Sequence, residues 1–247
     1  MITVRPIDGL PEFSPGDSLG MTLAGHAGSG EVLVVSQKVV SKAEGRVRDL
    51  GAVEPGERAT ELADRLDKDP RLVELILAES RAVVRAERGV LIVETLSGLV
   101  CANAGIDSSN VPGGEMVALL PADPDLSARR LRSELAEISD DLPPAVVIAD
   151  SFGRPWRVGQ TDVAIGCAGM IPLDDWRGRV DRNGRTLGAT AIAVADQAAA
   201  AADLVRNKDS GVPVAVIAGL DRYVTREDGP GAAALRRLEA DDLFGPR

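Results

Sequence analysis

Three short apolar runs constrain this chain more than any other feature: Val32-Leu33-Val34-Val35, Ala145-Val146-Val147-Ile148-Ala149 and Val214-Ala215-Val216-Ile217-Ala218. Each is continuous rather than alternating and rich in β-branched residues, so each is expected as a buried strand, the first spanning Val32–Ser36. Helices are expected over residues 57–67 and 71–79, divided by Pro70. A further helix is expected over 126–139, with Leu126, Leu131, Leu135 and Ile138 on one face. The alanine-rich stretch 190–205 is the strongest helix signal, because alanine has the highest intrinsic helix propensity. Residues 81–94 pattern as a hairpin turning near Arg88-Gly89, and residues 98–107 as a strand leading into a loop. DVAIGCAGM (162–170) suggests another strand, and 231–244 a short C-terminal helix and tail. Strands therefore come in runs as well as alternating with helices. That fits an α+β fold of mixed sheets with packed helices better than a doubly wound sheet. No repeat or low-complexity linker divides the chain, and residues 1–247 are read as one compact unit.

Composition removes several classes of function. The chain has three Phe, two Trp, one Tyr and one His. Its core must therefore be Val, Leu, Ile and Ala, and an aromatic platform for stacking nucleic-acid bases is excluded. The net charge of −10 argues against general binding to nucleic acid or to an acidic membrane surface. It leaves open a small anionic ligand, which local arginines or a divalent cation can hold. No stretch approaches the roughly 18 apolar residues of a spanning helix. Neither the N-terminus nor the two cysteines, Cys101 and Cys167, suggests export, so a cytoplasmic protein is expected. His26 lies in the small-residue stretch AGHAGSG and is expected in an exposed turn after a helix. Histidine-dependent triads and zinc sites lack their residues, so any metal is expected on oxygen ligands, as Mg²⁺, Mn²⁺ or Ca²⁺.

Three polar segments remain. SQKVVSKAEGR (36–46) follows the first apolar run. Lys38 and Lys42 suit phosphate, with Ser36, Gln37 and Ser41 as hydrogen-bonding neighbours; read alone, the segment is also a solvated strand end with two surface lysines. NAGIDSSNV (103–111) places Asp107 and Asn110 around two serines, as turn formers or as metal ligands. DSFGRPWRVGQTDVAIG (150–166) sets Asp150 and Ser151 at the end of an apolar strand, followed by Arg154, Arg157 and a second carboxylate. Here the alternative is a capped turn with Trp156 on the core. No Walker A pattern occurs. Separated aspartates with lysines and arginines suggest metal-assisted phosphoryl or acyl-phosphate chemistry, and residue chemistry alone names no substrate.

At these residues the chain resembles the coenzyme F-420-0: γ-L-glutamyl ligases. GLPEFSPGDSL (9–19), VVSQKVVSKAEGR (34–46), GIDSSNV (105–111), DSFGRPWRVGQTDVAIGCAG (150–169) and AVADQAAAAADLV…GVPVAVIAGL occur in the family's order. The resemblance covers essentially the whole chain, in the form without a fused nitroreductase-like domain. It implies an α+β glutamyl-ligase fold with two lobes per subunit and a homodimer. It also implies a GTP-dependent amide ligase that adds L-glutamate to deazaflavin coenzyme F-420-0 through an acyl phosphate, releasing GDP and phosphate. The implied cofactors are Mg²⁺ or Mn²⁺, two per site, with K⁺ as a further candidate.

By the same resemblance, Leu10, Pro11, Glu12 and Phe13 contact the nucleotide, joined by Gln37, Lys38, Lys42, Asn110 and Asn207. Asp107 and Asp150 bind one metal, and Ser151, where a threonine is common, a second with Asn207. The loop 205–212 occupies the place of a GTP-binding loop. Asp150, Arg154 and Arg157 are the candidates to carry catalysis, the arginines also for the glutamate pocket. Two alternatives use the same residues: a nucleotide- and metal-binding regulator without turnover, and a ligase for another carboxylate-bearing acceptor.

Overall fold

The computed structural model describes residues 1–109, 113–138, 141–207 and 209–243. Its elements are β1 (Thr3–Pro6), α1 (Leu19–Leu23), β2 (Val32–Ser36), α2 (Gln37–Ala43), β3 (Val47–Asp49), α3 (Glu57–Leu66), α4 (Pro70–Ala78), β4 (Ser80–Glu87), β5 (Val90–Thr95), β6 (Val100–Ala102), β7 (Met116–Ala118), α5 (Pro124–Ile138), β8 (Ala145–Arg154), β9 (Arg157–Ala168), β10 (Leu173–Asp175), β11 (Ala191–Ala193), α6 (Val194–Asp203) and β12 (Val214–Ala218). The mixture of sheets and helices is the expected α+β architecture.

The three apolar runs lie side by side at the centre of a five-stranded sheet ordered β1-β12-β2-β8-β9. Only β2 and β8 run parallel; the other pairs are antiparallel. Continuous apolarity has a direct cause here, because both faces of these strands are covered. Leu33, Val35, Val146, Ile148, Val214 and Val216 point to one side, against α1, α2 and α5. Val32, Val34, Ala145, Val147, Ala215 and Ile217 point to the other, against α6. Each fully buried Val or Ile contributes about 1.5–3 kcal/mol relative to exposure. On α6, Ala195, Ala198, Ala199 and Ala202 form the buried face, and such small side chains allow a close approach to the sheet.

A second core forms a smaller lobe. Leu62, Leu66, Val73 and Ile76 of α3 and α4 pack on Leu91 and Val93 of the three-stranded sheet β4-β5-β6. Its hairpin turns at Arg88 and Gly89, both with positive φ, as expected from the sequence.

Several expectations need correction. The two helices expected on either side of Pro70 are α3 and α4, and only the boundary shifts: Pro70 is the first residue of α4, where its missing N–H is no loss and the Asp69 side chain accepts from Arg71 N. On α5 the buried stripe runs through Pro124, Ala128, Leu131 and Leu135. Leu126 (39 % exposed) faces away from it, and Ile138 (46 % exposed) is the helix's last residue. The alanine-rich helix begins only at Val194, because Ala191–Ala193 pair with β10. Among the described residues, the C-terminal segment forms short 3-10 turns, Ala232–Leu235 and Glu239–Asp241, rather than an α-helix. Residues 37–43, open in the sequence as a strand end, form α2. Trp156 is exposed, not packed on the core. Among the described residues no helix is long and apolar enough to cross a membrane. Both cysteines are buried and unbridged.

Candidate functional site

A cavity of about 1130 Å³ opens where the two lobes meet. Its walls come from the loop before α1, from α2, from β5 and β6 with the loop after them, from the tip of the β8–β9 hairpin, and from the loop after α6. Leu10, Pro11, Glu12, Phe13, Lys38, Lys42, Asp107, Asp150, Ser151, Arg154 and Asn207 all line it. Residues almost two hundred positions apart in sequence thus meet at one surface. Gln37 and Arg157 are not on that surface. Gln37 is fully buried, and its Oε1 accepts from Ser41 Oγ at 2.9 Å while Nε2 has no partner among the described residues. Arg157 is exposed on β9, paired across the turn with Arg154. Asn110 lies outside the described residues. His26 sits in the turn after α1, half-buried and off the cavity.

Local structure explains each placement. In α2 the four-residue spacing of Lys38 and Lys42 puts both on one helix face, toward the cavity, while Val39 and Val40 enter the core. Asp107 is fixed by its backbone, which exchanges hydrogen bonds with Ala118 at 3.1 and 2.8 Å. The stretch DSFGRPWRVGQTD is a hairpin, and the sheet continues straight through its polar residues. Near the turn, Val158 and Gly159 (φ +86°) form an irregularity that shifts the pairing. Arg154 donates to the carbonyls of Val158 (2.7 Å) and Gly159 (3.3 Å), so much of its guanidinium is committed to holding the tip.

The hairpin register sets Ser151 opposite Asp162, a residue to which sequence reasoning assigned no role. Ser151 Oγ donates to Asp162 Oδ1 at 2.6 Å, and Arg206 pairs with Asp162 Oδ2. That ion pair is almost sealed, with the side chains 5 % and 7 % exposed. Burial pushes the Arg206 pKa below its usual value, against the opposing pull of Asp162 and Asp203.

The acidic end of the cavity carries excess negative charge. Burial pushes the Asp150 carboxyl up to about 7; the Ser151 N–H and Lys38 oppose this, and Asp162 and Asp107 add to it. Burial also acts on Asp107, yet its contacts with Lys38 and with Ser109 N–H leave it below the usual carboxylate range. Lys38 Nζ lies 2.8 Å from Asp107 Oδ2 and 2.8 Å from Ser109 Oγ. Lys42 is paired with Glu12 across the cavity.

This donor set suits Mg²⁺ or Mn²⁺. Asp107, Asp150, Ser151 and Asp162 offer hard oxygens only, and a divalent cation would compensate the burial, and the smaller repulsion from Asp162 and Asp107, that raise the Asp150 pKa. Among the described residues no three His, Cys, Asp or Glu side chains already converge as a metal centre. The Lys38 ammonium occupies one Asp107 oxygen, so a cation arriving there displaces it.

Next to the cluster, Asn103, Ala104 and Gly105 form an unusual turn in which all three have left-handed backbone (φ +52°, +54° and +68°). For non-glycine residues this costs about 1–2 kcal/mol each. Gly105 has no alternative, because a Cβ there would lie 2.6 Å from the Leu120 side chain. Asn103 lines the cavity, and its Oδ1 is buried without a partner among the described residues. A separate cavity of about 230 Å³ beside Asp125 lacks comparable chemistry. Asp125 is committed to the backbone N–H groups of Cys167, Ala232 and Ala233.

Fold and site together define a class: an α+β protein whose interlobe cavity combines hard oxygen donors with lysines suited to phosphate. The sequence profile described as F420-0:Gamma-glutamyl ligase matches residues 9–219, and the chain belongs to that family. The coenzyme F420:L-glutamate ligase of Methanopyrus kandleri is 42 % identical over 247 residues, covering 98 % of this chain and 97 % of that protein. The protein of the same name from Methanothermobacter thermautotrophicus is 40 % identical, covering 99 % of both chains. That from Natronomonas pharaonis is 43 % identical, over 96 % and 92 %.

Proposed function

We propose that this protein is a GTP-dependent ligase that joins L-glutamate to deazaflavin coenzyme F-420-0 through an acyl phosphate, in coenzyme F-420 biosynthesis. The observation that carries the reading is the meeting of the Asp150 oxygen cluster with Lys38 and Lys42 in one cavity, within a chain of this family. The relatives' shared name, coenzyme F420:L-glutamate ligase, supplies the substrates.

In this reaction the acceptor's terminal carboxylate oxygen attacks the γ-phosphorus of GTP and GDP leaves. The glutamate amine then attacks the acyl carbonyl, phosphate departs, and the amine gives up its proton. Lys42 and Lys38 neutralise phosphate oxygens, each exchanging a carboxylate partner for the ligand. The backbone of Leu10–Phe13 and the loop carrying Asn207 flank the nucleotide. Asp107 and Asp150 would hold one Mg²⁺ or Mn²⁺, and Ser151 with Asn207 a second. When bound, such an ion stabilises charge on the transferring phosphoryl group. Arg154 at the hairpin tip offers a glutamate carboxylate the part of its guanidinium not held by Val158 and Gly159, whereas Arg157, off the cavity, is given no substrate contact. Val90, Ile92 and Val100 give the cavity an aliphatic wall. The same reading carries a homodimer working in the cytoplasm.

The test is direct. Purified protein is incubated with GTP, Mn²⁺, L-glutamate and the deazaflavin precursor, and the product is weighed by mass spectrometry. A glutamyl mass gain that requires GTP is expected; no gain across varied metal and pH removes the reading.

A further inference from the structure

We infer that Asn103 contacts substrate, accepting a hydrogen bond from the amino group of the incoming amino acid. The inference rests on the ligase reading above. Asn103 lines the cavity, adopts a left-handed backbone, and buries an Oδ1 that no group among the described residues satisfies. Asparagine is tolerated in that conformation chiefly because its side chain can bond to nearby backbone. Here the oxygen makes no such bond. The turn is closed without it, by Ile106 N donating to the Asn103 carbonyl at 2.9 Å. Neither packing nor turn formation accounts for the carboxamide, and strain together with an unpaired polar atom at a cavity wall is the pattern of a ligand contact.

Position selects the ligand group. Asn103 lines the same cavity as Asp107, Asp150 and Cys101, the last close enough to Asp150 to feel its charge, and so shares the wall that carries the acidic cluster. The polyphosphate and the acceptor carboxylate bring only hydrogen-bond acceptors there. The N–H donor due beside the activated carboxyl is the glutamate amine. A neutral acceptor suits it: a carboxylate here would add charge to Asp107, Asp150 and Asp162 and favour the unreactive ammonium. A carboxamide oxygen also accepts from the neutral amine, whose lone pair stays free to attack. The terminal torsion of asparagine is broad, so the oxygen turns toward the ligand without backbone movement.

The experiment compares Asn103→Gly and Asn103→Asp with the wild type. Glycine suits the left-handed backbone, so the first variant removes the carboxamide without new strain. Its KM for glutamate is expected to rise about tenfold, as for one lost hydrogen bond. GTP affinity, measured by calorimetry, and the melting temperature of the ligand-free protein should not fall. With hydroxylamine as the competing nucleophile, the ratio of glutamyl product to hydroxamate should drop by a similar factor. Asn103→Asp keeps an acceptor, so kcat should fall more than glutamate affinity. An unchanged glutamate KM and product ratio in both variants overturns the inference. A lowered melting temperature as the sole effect makes Asn103 a structural turn residue and overturns it equally. A wild type that forms neither glutamyl product nor hydroxamate overturns the ligase reading itself.

Discussion

Replacing Asp150 by asparagine should make the ligand-free protein more stable at alkaline pH while abolishing its response to metal. The unfolded carboxyl titrates near 3.8 and the folded one near 7. Between these values the native state binds the proton and the unfolded chain has released it, so stability falls as pH rises through that window. Above the folded pKa the full penalty is present. A gap of about 3 pH units corresponds to a ceiling of about 4 kcal/mol. Solvent at the cavity mouth reduces this, and about 1–3 kcal/mol is a reasonable expectation for the buried carboxylate. Asparagine keeps the shape and cannot ionise. At pH 8 the variant should therefore melt higher than the wild type by about 2–4 °C per kcal/mol recovered, and below pH 4 the two should coincide. Wild-type protein should gain about 2.7 kcal/mol in Mn²⁺ at a hundredfold excess over Kd, whereas the variant should gain little. Calorimetric melting at pH 3.5 and pH 8, with and without Mn²⁺ and GTP, measures all of this. If Asp150→Asn melts lower at pH 8, or keeps the wild-type metal shift, the reasoning about this carboxylate is wrong.

Other substitutions probe different parts of the account. Lys42→Ala should weaken GTP binding by about 1–3 kcal/mol, the loss expected for a charge-assisted hydrogen bond, as read by isothermal titration. An unchanged Kd would leave Lys42 as no more than the partner of Glu12. Arg206→Met should cost about 3–5 kcal/mol in denaturant unfolding, because it strands Asp162 as a buried, unpaired charge. Adding Asp162→Leu should recover most of that loss, and a double mutant as unstable as the single would contradict the pairing. Gly166→Ala should be among the most damaging changes of one carbon, since the new Cβ would lie 2.2 Å from the Pro124 carbonyl oxygen, a backbone atom that cannot swing aside. A soluble variant with wild-type melting would show that α5 is less tightly seated on β9 than described.

The sequence made the frame of this protein legible for a simple physical reason. β2, β8 and β12 are covered on both faces, so their apolarity is continuous and visible in a single line of residues. The convergence of Lys38, Lys42, Asp107, Asp150 and Ser151 on one candidate site was legible because each carries its chemistry in its own side chain, and all five line the cavity. What escaped depends on pairing at a distance. Asp162 was visible as an acid, but its place opposite Ser151 depends on the Val158-Gly159 irregularity, and its partner Arg206 is 44 residues away. The helical state of Gln37–Ala43 escaped because the segment is short and its valines equally suit a strand. Leu126 was assigned to the apolar face of α5, but at about 3.6 residues per turn it lies roughly 180° around the helix from Leu135 and faces solvent. The left-handed turn at Asn103 gave no sequence signal beyond the Gly105 that ends it.

The central claim is that the cavity activates a carboxylate by phosphoryl transfer, and an oxygen-isotope experiment tests it most directly. The deazaflavin acceptor is prepared with ¹⁸O in its terminal carboxylate, and the phosphate released during glutamyl transfer is weighed. If an acyl phosphate forms, the acceptor oxygen that attacked the γ-phosphorus leaves with it, and each phosphate carries one labelled oxygen. Phosphate released without label while glutamyl product accumulates would contradict the account.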